Sequence, residues 1–452
     1  MPKADRDAVL RARKRVPPPG GALLEDTEKM KQKHHRMLCA FCALVILVST
    51  VFPTAAFAEQ PVDAAAAEQT LTRADAAEMQ QADAAVTALT ESEPYQEMDT
   101  DARKDAALAQ LDTLAAKGLV EKDSIYTDEE NGMVSFRYPC GVLGGILLTE
   151  PEDETLDEEN AETETAANAL PLRLPPDLGA EMQKSRAALL RRTENQAVEK
   201  FGTAVIYYAF DNTINSSRFP YYAYMQGFWS ALGLETKINI HVTVADLKKM
   251  GNYNVSVLSA HGSYYTYSYG KFLKRTRTEP IMLLTEESTF GKDLRYGFDL
   301  LAHRVIKVNG MYCVTSDFFR NAYKGGKLSN TIVYSETCEF LGVDGSEDNA
   351  MADALLSGGA QAVIGYVNNV YTVYSRSMLW DTINHLIMGQ NVGQALEHAK
   401  ATYGEDDLIW YHAQGGRRPH AAASYAVLYG NSQAALHVPE SNRSMFSADL
   451  AA

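Results

Sequence analysis

Two apolar runs in this 452-residue sequence end in side chains that could do chemistry together. Residues 255–260 lead directly into His261 and Gly262, and residues 331–337 lead into Cys338. In a doubly wound α/β sheet, functional groups gather outside the carboxyl ends of the strands, and neighbouring strands lie about 4.8 Å apart. A histidine and a cysteine at the ends of neighbouring strands could therefore face one substrate carbonyl. Such a pair suits acyl transfer with a thiolate as the nucleophile.

The same residues could also supply an oxyanion hole. Because glycine lets the backbone approach closely, the N–H of Gly262 can join that of Cys338 around a developing negative charge. Each half alone has a structural alternative, since a histidine after a strand is often a structural residue and a buried cysteine usually acts as a small hydrophobic side chain. The occurrence of both, each at the end of an apolar run, favours the catalytic interpretation.

Other chemistries find little support in the sequence. It contains no HExxH zinc motif, no Walker phosphate loop and no Gly-x-Ser-x-Gly elbow. The other histidines, such as His241, His303 and His385, show no ligand spacing. Metal catalysis and a cofactor are therefore not expected, and Ca2+ is left open only as an ion that could order the loops.

The elements that would position the pair begin at Phe201, where apolar runs alternate with helical segments. The runs are 203–208, 237–242, 255–259, 331–334 and 360–366, and the helical segments include 221–232, 245–250, 316–323, 349–356 and 374–388. This alternation predicts an α/β domain over residues 201–438, with a mainly parallel sheet that carries helices on both faces. The less regular stretch 264–314 predicts hairpins and loops beyond the sheet edge.

These features resemble the caspase-like cysteine peptidases, a group that includes the gingipains, clostripain, separase and the CHAT domains. The resemblance rests on the runs ending in His261-Gly262 and in Cys338, on LLSGGAQAVIGY at 355–366, and on YAVLYGN at 425–431, which is similar to the gingipain-like ending. It covers residues 201–438, about half of the chain. It implies a caspase-like sheet, Cys338 as nucleophile, His261 as acid–base partner, the amides of Gly262 and Cys338 around the oxyanion, and no metal in the chemistry.

The sequence departs from the family pattern beside the thiol. Relatives commonly carry a small residue before the cysteine and a glycine two or three residues after it, whereas Thr337 precedes Cys338 here and the next glycine is Gly342. This departure concerns the fit of the substrate more than the identity of the nucleophile.

Five residues are candidates for substrate binding. Glu336 and Glu339 flank the thiol, either as one buried carboxylate satisfied by backbone N–H groups and one solvated carboxylate, or as an acidic pocket for Arg or Lys, which clostripain and the Arg-specific gingipains prefer before the scissile bond. Asn368, Asn369 and Tyr371 follow the next predicted strand, where the family shapes its specificity pocket, although an Asn-Asn pair also suits a turn.

The first 58 residues have the order of a secretory signal peptide. A basic run at 29–36 is followed by an apolar stretch at 38–52 and by small residues before a cleavage-like site after Ala58. Secretion is therefore expected, with an uncleaved membrane anchor as the alternative. Cys140, Cys313 and Cys338 would remain after cleavage, and an odd count leaves at least one thiol unpaired. The net charge of -16 argues against a nucleic-acid partner, and no membrane partner is expected after cleavage.

The remaining segments complete a predicted precursor. They are an α+β prodomain at 59–149, an acidic linker at 150–170 that cannot bury enough apolar surface to fold, a connecting helix at 171–200 that bears Arg191 and Arg192, and a tail at 439–452. The predicted function is a secreted cysteine endopeptidase that acts on polypeptides, that has its own prodomain as a partner, and that is activated by cleavage within 150–193. The alternative is a non-catalytic caspase-like surface or binding protein.

Overall fold

The structure is a computed structural model that describes residues 70–148, 182, 184, 198–210, 219–270, 274–407 and 423–446. The predicted signal region and acidic linker lie outside these residues, as do nearly all of the predicted connecting helix and part of the tail. Within the described ranges, no helix is both long enough and apolar enough to cross a membrane. These ranges all belong to one unit of the chain, which begins at Val62.

Sixteen strands are defined in the described part of the chain. They are β1 (Tyr126–Asp128), β2 (Met133–Arg137), β3 (Leu143–Leu147), β4 (Gly202–Ala209), β5 (Leu234–Asn239), β6 (Val255–Ala260), β7 (Gly262–Tyr269), β8 (Arg275–Glu287), β9 (Val305–Val308), β10 (Met311–Thr315), β11 (Ile332–Ser335), β12 (Gly342–Val343), β13 (Ser346–Glu347), β14 (Ala362–Val367), β15 (Asp406–Asp407) and β16 (Ser424–Gly430).

The same ranges contain eleven labelled α-helices. They are α1 (Arg73–Thr90), α2 (Glu93–Gln96), α3 (Thr100–Ala116), α4 (Phe219–Ala231), α5 (Val244–Leu247), α6 (Phe290–Leu301), α7 (Ser316–Ala322), α8 (Ala350–Ser357), α9 (Thr372–Ile387), α10 (Val392–Tyr403) and α11 (Glu440–Phe446).

The strands that lead to His261 and Cys338 lie in one seven-stranded sheet, with the order β15-β16-β14-β11-β6-β4-β5. The pairs that join β14, β11, β6, β4 and β5 are parallel, whereas β15 and β16 add an antiparallel edge. Every residue of β6, β11 and β14 is buried, as expected for parallel strands covered on both faces. The predicted α/β class is confirmed, and the five predicted apolar runs overlap β4, β5, β6, β11 and β14, although the run at 237–242 shares only residues 237–239 with β5.

Helices cover both faces of this sheet because successive side chains of a strand point to opposite sides. On β4, Ile206 and Tyr208 belong to a buried cluster that includes Trp229 of α4 and side chains of α9 and α10. Val205 and Tyr207 belong to a second cluster that includes side chains of α5, α7 and α8. The strand ends that carry the candidate site are therefore held between two packed layers.

A second seven-stranded sheet has the order β1-β2-β3-β9-β10-β8-β7. Its pairs are antiparallel except for β3 and β9, which run parallel. The stretch 264–314, expected to form hairpins and loops, contributes most of β7 to β10 and all of α6 to this architecture. Since β6 ends at Ala260 and β7 begins at Gly262, the chain passes from the first sheet into the second through His261.

Residues 70–148 are built into the same architecture. Strand β3 pairs with β9, and the buried ammonium of Lys307 on β9 contacts Asp83 of α1 and lies 2.9 Å from Asp293 of α6. The Tyr138 hydroxyl also donates to Asp83. The predicted boundary between a prodomain and a catalytic domain stays a prediction, but the two segments share one sheet and one buried ion network.

Candidate active site

His261 and Cys338 follow two adjacent parallel strands. Ser335 at the end of β11 lies opposite Leu258 of β6, and the Glu336 N–H continues the ladder by donating to the Leu258 carbonyl at 2.8 Å. The direction in which strands are added to the sheet reverses between β4 and β6. In open α/β sheets such a switch point, at the carboxyl ends of the strands, is where ligands bind. His261 thus lies beside the switch point, and Cys338 follows the next strand of the sheet.

Gly262 lies directly against the backbone of Cys338. A Cβ atom at Gly262 would lie 2.1 Å from the Cys338 carbonyl oxygen and 2.4 Å from Thr337 Cγ2, so only glycine fits. The Leu283 N–H donates to the His261 carbonyl at 2.9 Å, which makes Gly262 and Met282 a non-hydrogen-bonded pair of the β7–β8 ladder. The N–H of Gly262 therefore points away from β8. This is compatible with the oxyanion role predicted for the Gly262 amide, which stays a prediction.

The ring of His261 is oriented by an aromatic neighbour. Phe210, which follows β4 and is buried, packs edge-to-face on the imidazole with ring centroids 4.9 Å apart and planes at 87°. Edge-to-face contacts of this kind favour one ring orientation over others. The three strand ends of β4, β6 and β11 therefore contribute Phe210, His261 and Cys338 to the same end of the sheet.

The Cys338 thiol lies under the segment that follows β14. The Val370 N–H donates to Sγ at 3.4 Å, and the thiol donates to the Val370 carbonyl oxygen at 3.7 Å. The N–H donor stabilises negative charge on sulfur, the form that a nucleophile needs, whereas the carbonyl acceptor stabilises the protonated thiol. Cys338 is partly exposed and, like Cys140 and Cys313, it forms no disulfide in the part of the chain that the structure describes.

The other two thiols of the described ranges are poor nucleophile candidates. Burial raises the pKa of Cys140 to about 11. Burial also raises the pKa of Cys313, a core residue of β10 with no exposed surface. Both side chains therefore stay protonated at neutral pH, whereas nucleophilic attack requires the thiolate.

Glu336 is held inside the core rather than beside the solvent. Its Oε2 accepts hydrogen bonds from Tyr222 at 3.0 Å and Ser259 at 2.9 Å, and its Oε1 accepts one from Ser375 at 3.3 Å. Burial raises the pKa of Glu336 to about 7, opposed by the donors and by the charge of Arg376. The donors are hydroxyl groups and not the backbone N–H groups expected from the sequence. A role for this carboxylate in a substrate pocket stays a prediction.

Glu339 and Asn368 meet through their backbones. The Glu339 N–H donates to the Asn368 carbonyl at 2.9 Å, and both residues are buried and have a positive φ, of 55° and 67°. The Asn368 side chain accepts from the Gly345 N–H at 2.9 Å and donates to the Ala423 carbonyl at 3.0 Å. Glu339 is therefore buried, and the alternative in which it is a solvated carboxylate is wrong. The Asn368 side chain links the backbone at Gly345 to the backbone at Ala423, just before β16.

The remaining predicted substrate residues lie at the start of α9. Tyr371 is the N-cap residue of that helix, is buried, and donates its N–H to Asp407 Oδ2 at 2.5 Å, while Asn369 is partly buried. Asp407 of β15 is also buried and was missed by the sequence analysis, because nothing periodic in the surrounding sequence marks it. The structure therefore brings all five predicted substrate residues to the segments that adjoin Cys338.

A separate group of side chains could hold a metal ion. Asp381 and His385 of α9 and His398 of α10 each offer a ligand atom, and these atoms lie within 4.8 Å of one another. The sequence analysis assigned His385 no ligand spacing. Asp381 and His385 are four residues apart within a predicted helix and so share a face, which was the available signal. His398 joins them only through the packing of α10 on α9.

No protein-family model matches this sequence, and no curated protein matches it. The caspase-like resemblance accordingly rests on the motifs quoted above and identifies no family.

Proposed function

We propose that this chain is a cysteine endopeptidase in which Cys338 is the nucleophile and His261 its acid–base partner. The observation that carries the proposal is the position of both residues after adjacent parallel strands, with the backbone of Gly262 in contact with that of Cys338. The antiparallel partner of Gly262 leaves its N–H directed away from β8. Nucleophile, acid–base group and oxyanion donor are the three parts that amide hydrolysis by a thiol requires.

The proposed reaction proceeds through a thioester. The Cys338 thiolate, supported by the Val370 N–H, attacks the substrate carbonyl carbon, and the amides of Gly262 and Cys338 stabilise the resulting oxyanion. His261 gives a proton to the leaving amine, so that the C–N bond breaks and the acyl group stays on sulfur. His261 then takes a proton from a water molecule, which attacks the thioester and releases the carboxylic acid and the thiolate.

We also propose that the residue before the scissile bond is Arg or Lys. Residues 339–348 contain four carboxylates and no lysine or arginine; the carboxylates are Glu339, Asp344, Glu347 and Asp348. Asp407 adds a further carboxylate at the start of α9. A cleft edged by one sign of charge attracts substrates of the opposite sign, and a buried cationic side chain needs a carboxylate partner. Matched fluorogenic peptides ending in Arg, Lys, Asp, Asn and Leu test this preference, and faster cleavage after Asp or Asn would reject it.

The proposed enzyme is secreted, because residues 1–58 have the order of a signal peptide. It is made as a precursor, because the predicted activation segment contains the dibasic pair Arg191-Arg192. N-terminal sequencing of the secreted, active form tests both points. A start within 150–193 is expected, and a fully active form that starts at Glu59 would reject activation by cleavage.

Covalent labelling by a thiol-directed peptide warhead separates the peptidase from the non-catalytic alternative. An Arg-ending warhead should modify Cys338, and peptide mapping should find no modification at Cys140 or Cys313. His261→Ala should slow the labelling strongly, whereas Cys313→Ala should leave it unchanged. A folded wild-type protein that reacts no faster than the His261→Ala variant would favour a binding protein that has kept the fold.

A further inference from the structure

Three potential metal ligands converge where α9 packs on α10. His398 Nδ1 lies 2.7 Å from Asp381 Oδ2, and His385 Nε2 lies 3.7 Å from Asp381 Oδ1. The two imidazole rings are in contact, with centroids 3.7 Å apart and planes tilted by 33°. One carboxylate and two imidazoles thus face a common point, and two adjacent helices supply them.

The hydrogen bonding of His385 is incomplete without a further partner. His385 is 5% exposed, and the 3.7 Å distance between its Nε2 and Asp381 Oδ1 is too long for a hydrogen bond. Its Nδ1 and the Oε1 of the neighbouring Gln390 have no partner of good hydrogen-bond geometry among the residues that the structure describes, although the two side chains interact with each other. Buried polar atoms that lack partners are costly, and a native structure normally satisfies them.

A bound cation would complete this arrangement. With a metal on Nε2, the Nδ1–H of His385 could turn to Gln390 Oε1, and metal-bound histidines usually donate their second ring N–H to an oxygen in this way. The His398 side chain is 47% exposed, whereas those of Asp381 and His385 are 15% and 6% exposed. The fourth position of the ion would therefore face solvent beside His398.

We propose that Asp381, His385 and His398 bind one divalent transition-metal ion of the zinc type, with a water molecule as the fourth ligand. Two imidazole nitrogens and one carboxylate oxygen suit Zn2+, whereas Mg2+ and Ca2+ prefer oxygen ligands alone. A tetrahedral ion with ligands at about 2 Å needs a spacing of about 3.3 Å between ligand atoms, so the wider separations, within 4.8 Å, have to close and the 2.7 Å contact between His398 Nδ1 and Asp381 Oδ2 has to open. The ion would cross-link α9 to α10.

This site is independent of the proposed peptidase chemistry. Helix α9 begins at Thr372, two residues after the Val370 that contacts the thiol, and Asp381 and His385 lie roughly 13–20 Å further along its axis. The metal is therefore expected to stabilise the helix pair, and peptide hydrolysis should not require it.

Zn2+ titrated into the chelator-treated full chain, in competition with a chromogenic chelator, tests the proposal. Wild type should bind one ion through this cluster. Asp381→Asn and His398→Ala should each weaken Zn2+ binding by more than roughly 10–100-fold, which is the usual loss of affinity when a residue that only hydrogen-bonds to a metal ligand is replaced. Cys338→Ala should bind like wild type, which separates this site from the thiol. His437→Ala, at an exposed histidine outside the cluster, is the matched control.

Thermal unfolding provides a second measurement on the same proteins. Saturating Zn2+ should raise the Tm of wild type and of His437→Ala, since an ion that binds only the folded state stabilises it. The same addition should leave the Tm of a folded His398→Ala unchanged. Equal Zn2+ affinity in wild type, Asp381→Asn and His398→Ala, or the absence of binding by wild type, would overturn the proposal.

Discussion

Glu336→Gln isolates the energetic cost of a buried carboxylate two residues before the proposed nucleophile. Burial raises the pKa of Glu336 to about 7, against an ordinary value of 4.5. Between these two values the folded state binds the proton more tightly than the unfolded state, so the free energy of unfolding rises as the pH falls. The gain begins as the pH drops through about 7 and is complete below about 4.5. The two pKa values correspond to about 3 kcal/mol.

Urea unfolding of wild type and Glu336→Gln between pH 4.5 and 8 measures this quantity. Glutamine keeps an oxygen to accept from Tyr222 and Ser259 but cannot ionise, so the stability of the variant relative to wild type should increase by about 3 kcal/mol as the pH rises. Burial also raises the pKa of Glu279 to about 7, but this residue is present in both proteins and its contribution cancels. A pH-independent difference would refute the reasoning. A difference that falls with rising pH would show that the donors and Arg376 outweigh burial.

Two further predictions concern packing. Gly262→Ala should cost roughly 1–3 kcal/mol of stability and abolish peptide hydrolysis, because the new Cβ would displace the backbone of Cys338. Gly227→Ala, whose new Cβ would meet nothing within 4 Å, is the control in both assays. A Gly262→Ala enzyme that stays active would contradict the close approach of the two backbones. After cleavage of the chain within 149–197, the two fragments should elute as one complex in size-exclusion chromatography under native conditions, because β3 pairs with β9 and Lys307 contacts Asp83. Fragments that elute separately would show that residues 70–148 are not integral to the fold.

The strands next to the thiol were predictable from the sequence because their signal is local. Buried parallel strands appear as short continuous apolar runs, and four of the five runs match a strand of the first sheet. The run at 237–242 overlaps only the last three residues of β5, because this partly exposed edge strand lacks a continuous apolar signal. The placement of His261 and Cys338 at one sheet end follows from the same runs, since β6 and β11 proved to be neighbours. The reactive residue types at the ends of these runs were the most informative feature of the sequence.

The second sheet was not predictable because its pairing joins distant segments. Strand β3 lies parallel to β9, and no local pattern in either strand specifies the other. Burial of polar groups was equally hidden, since the donors to Glu336 come from β6, α4 and α9. The grouping of Asp381 with His398 likewise depends on helix packing. Local propensity and spacing do not contain such tertiary information.

The initial rate of hydrolysis of an Arg-ending fluorogenic peptide, compared between wild type and Cys338→Ala, tests the central claim most directly. We expect a loss of roughly 10³-fold or more in Cys338→Ala, a similar loss in His261→Ala, and an unchanged rate in Cys313→Ala. Circular dichroism of each variant checks that the fold is intact. A folded Cys338→Ala protein that turns over the peptide at a rate comparable to wild type would contradict the assignment of Cys338 as the nucleophile.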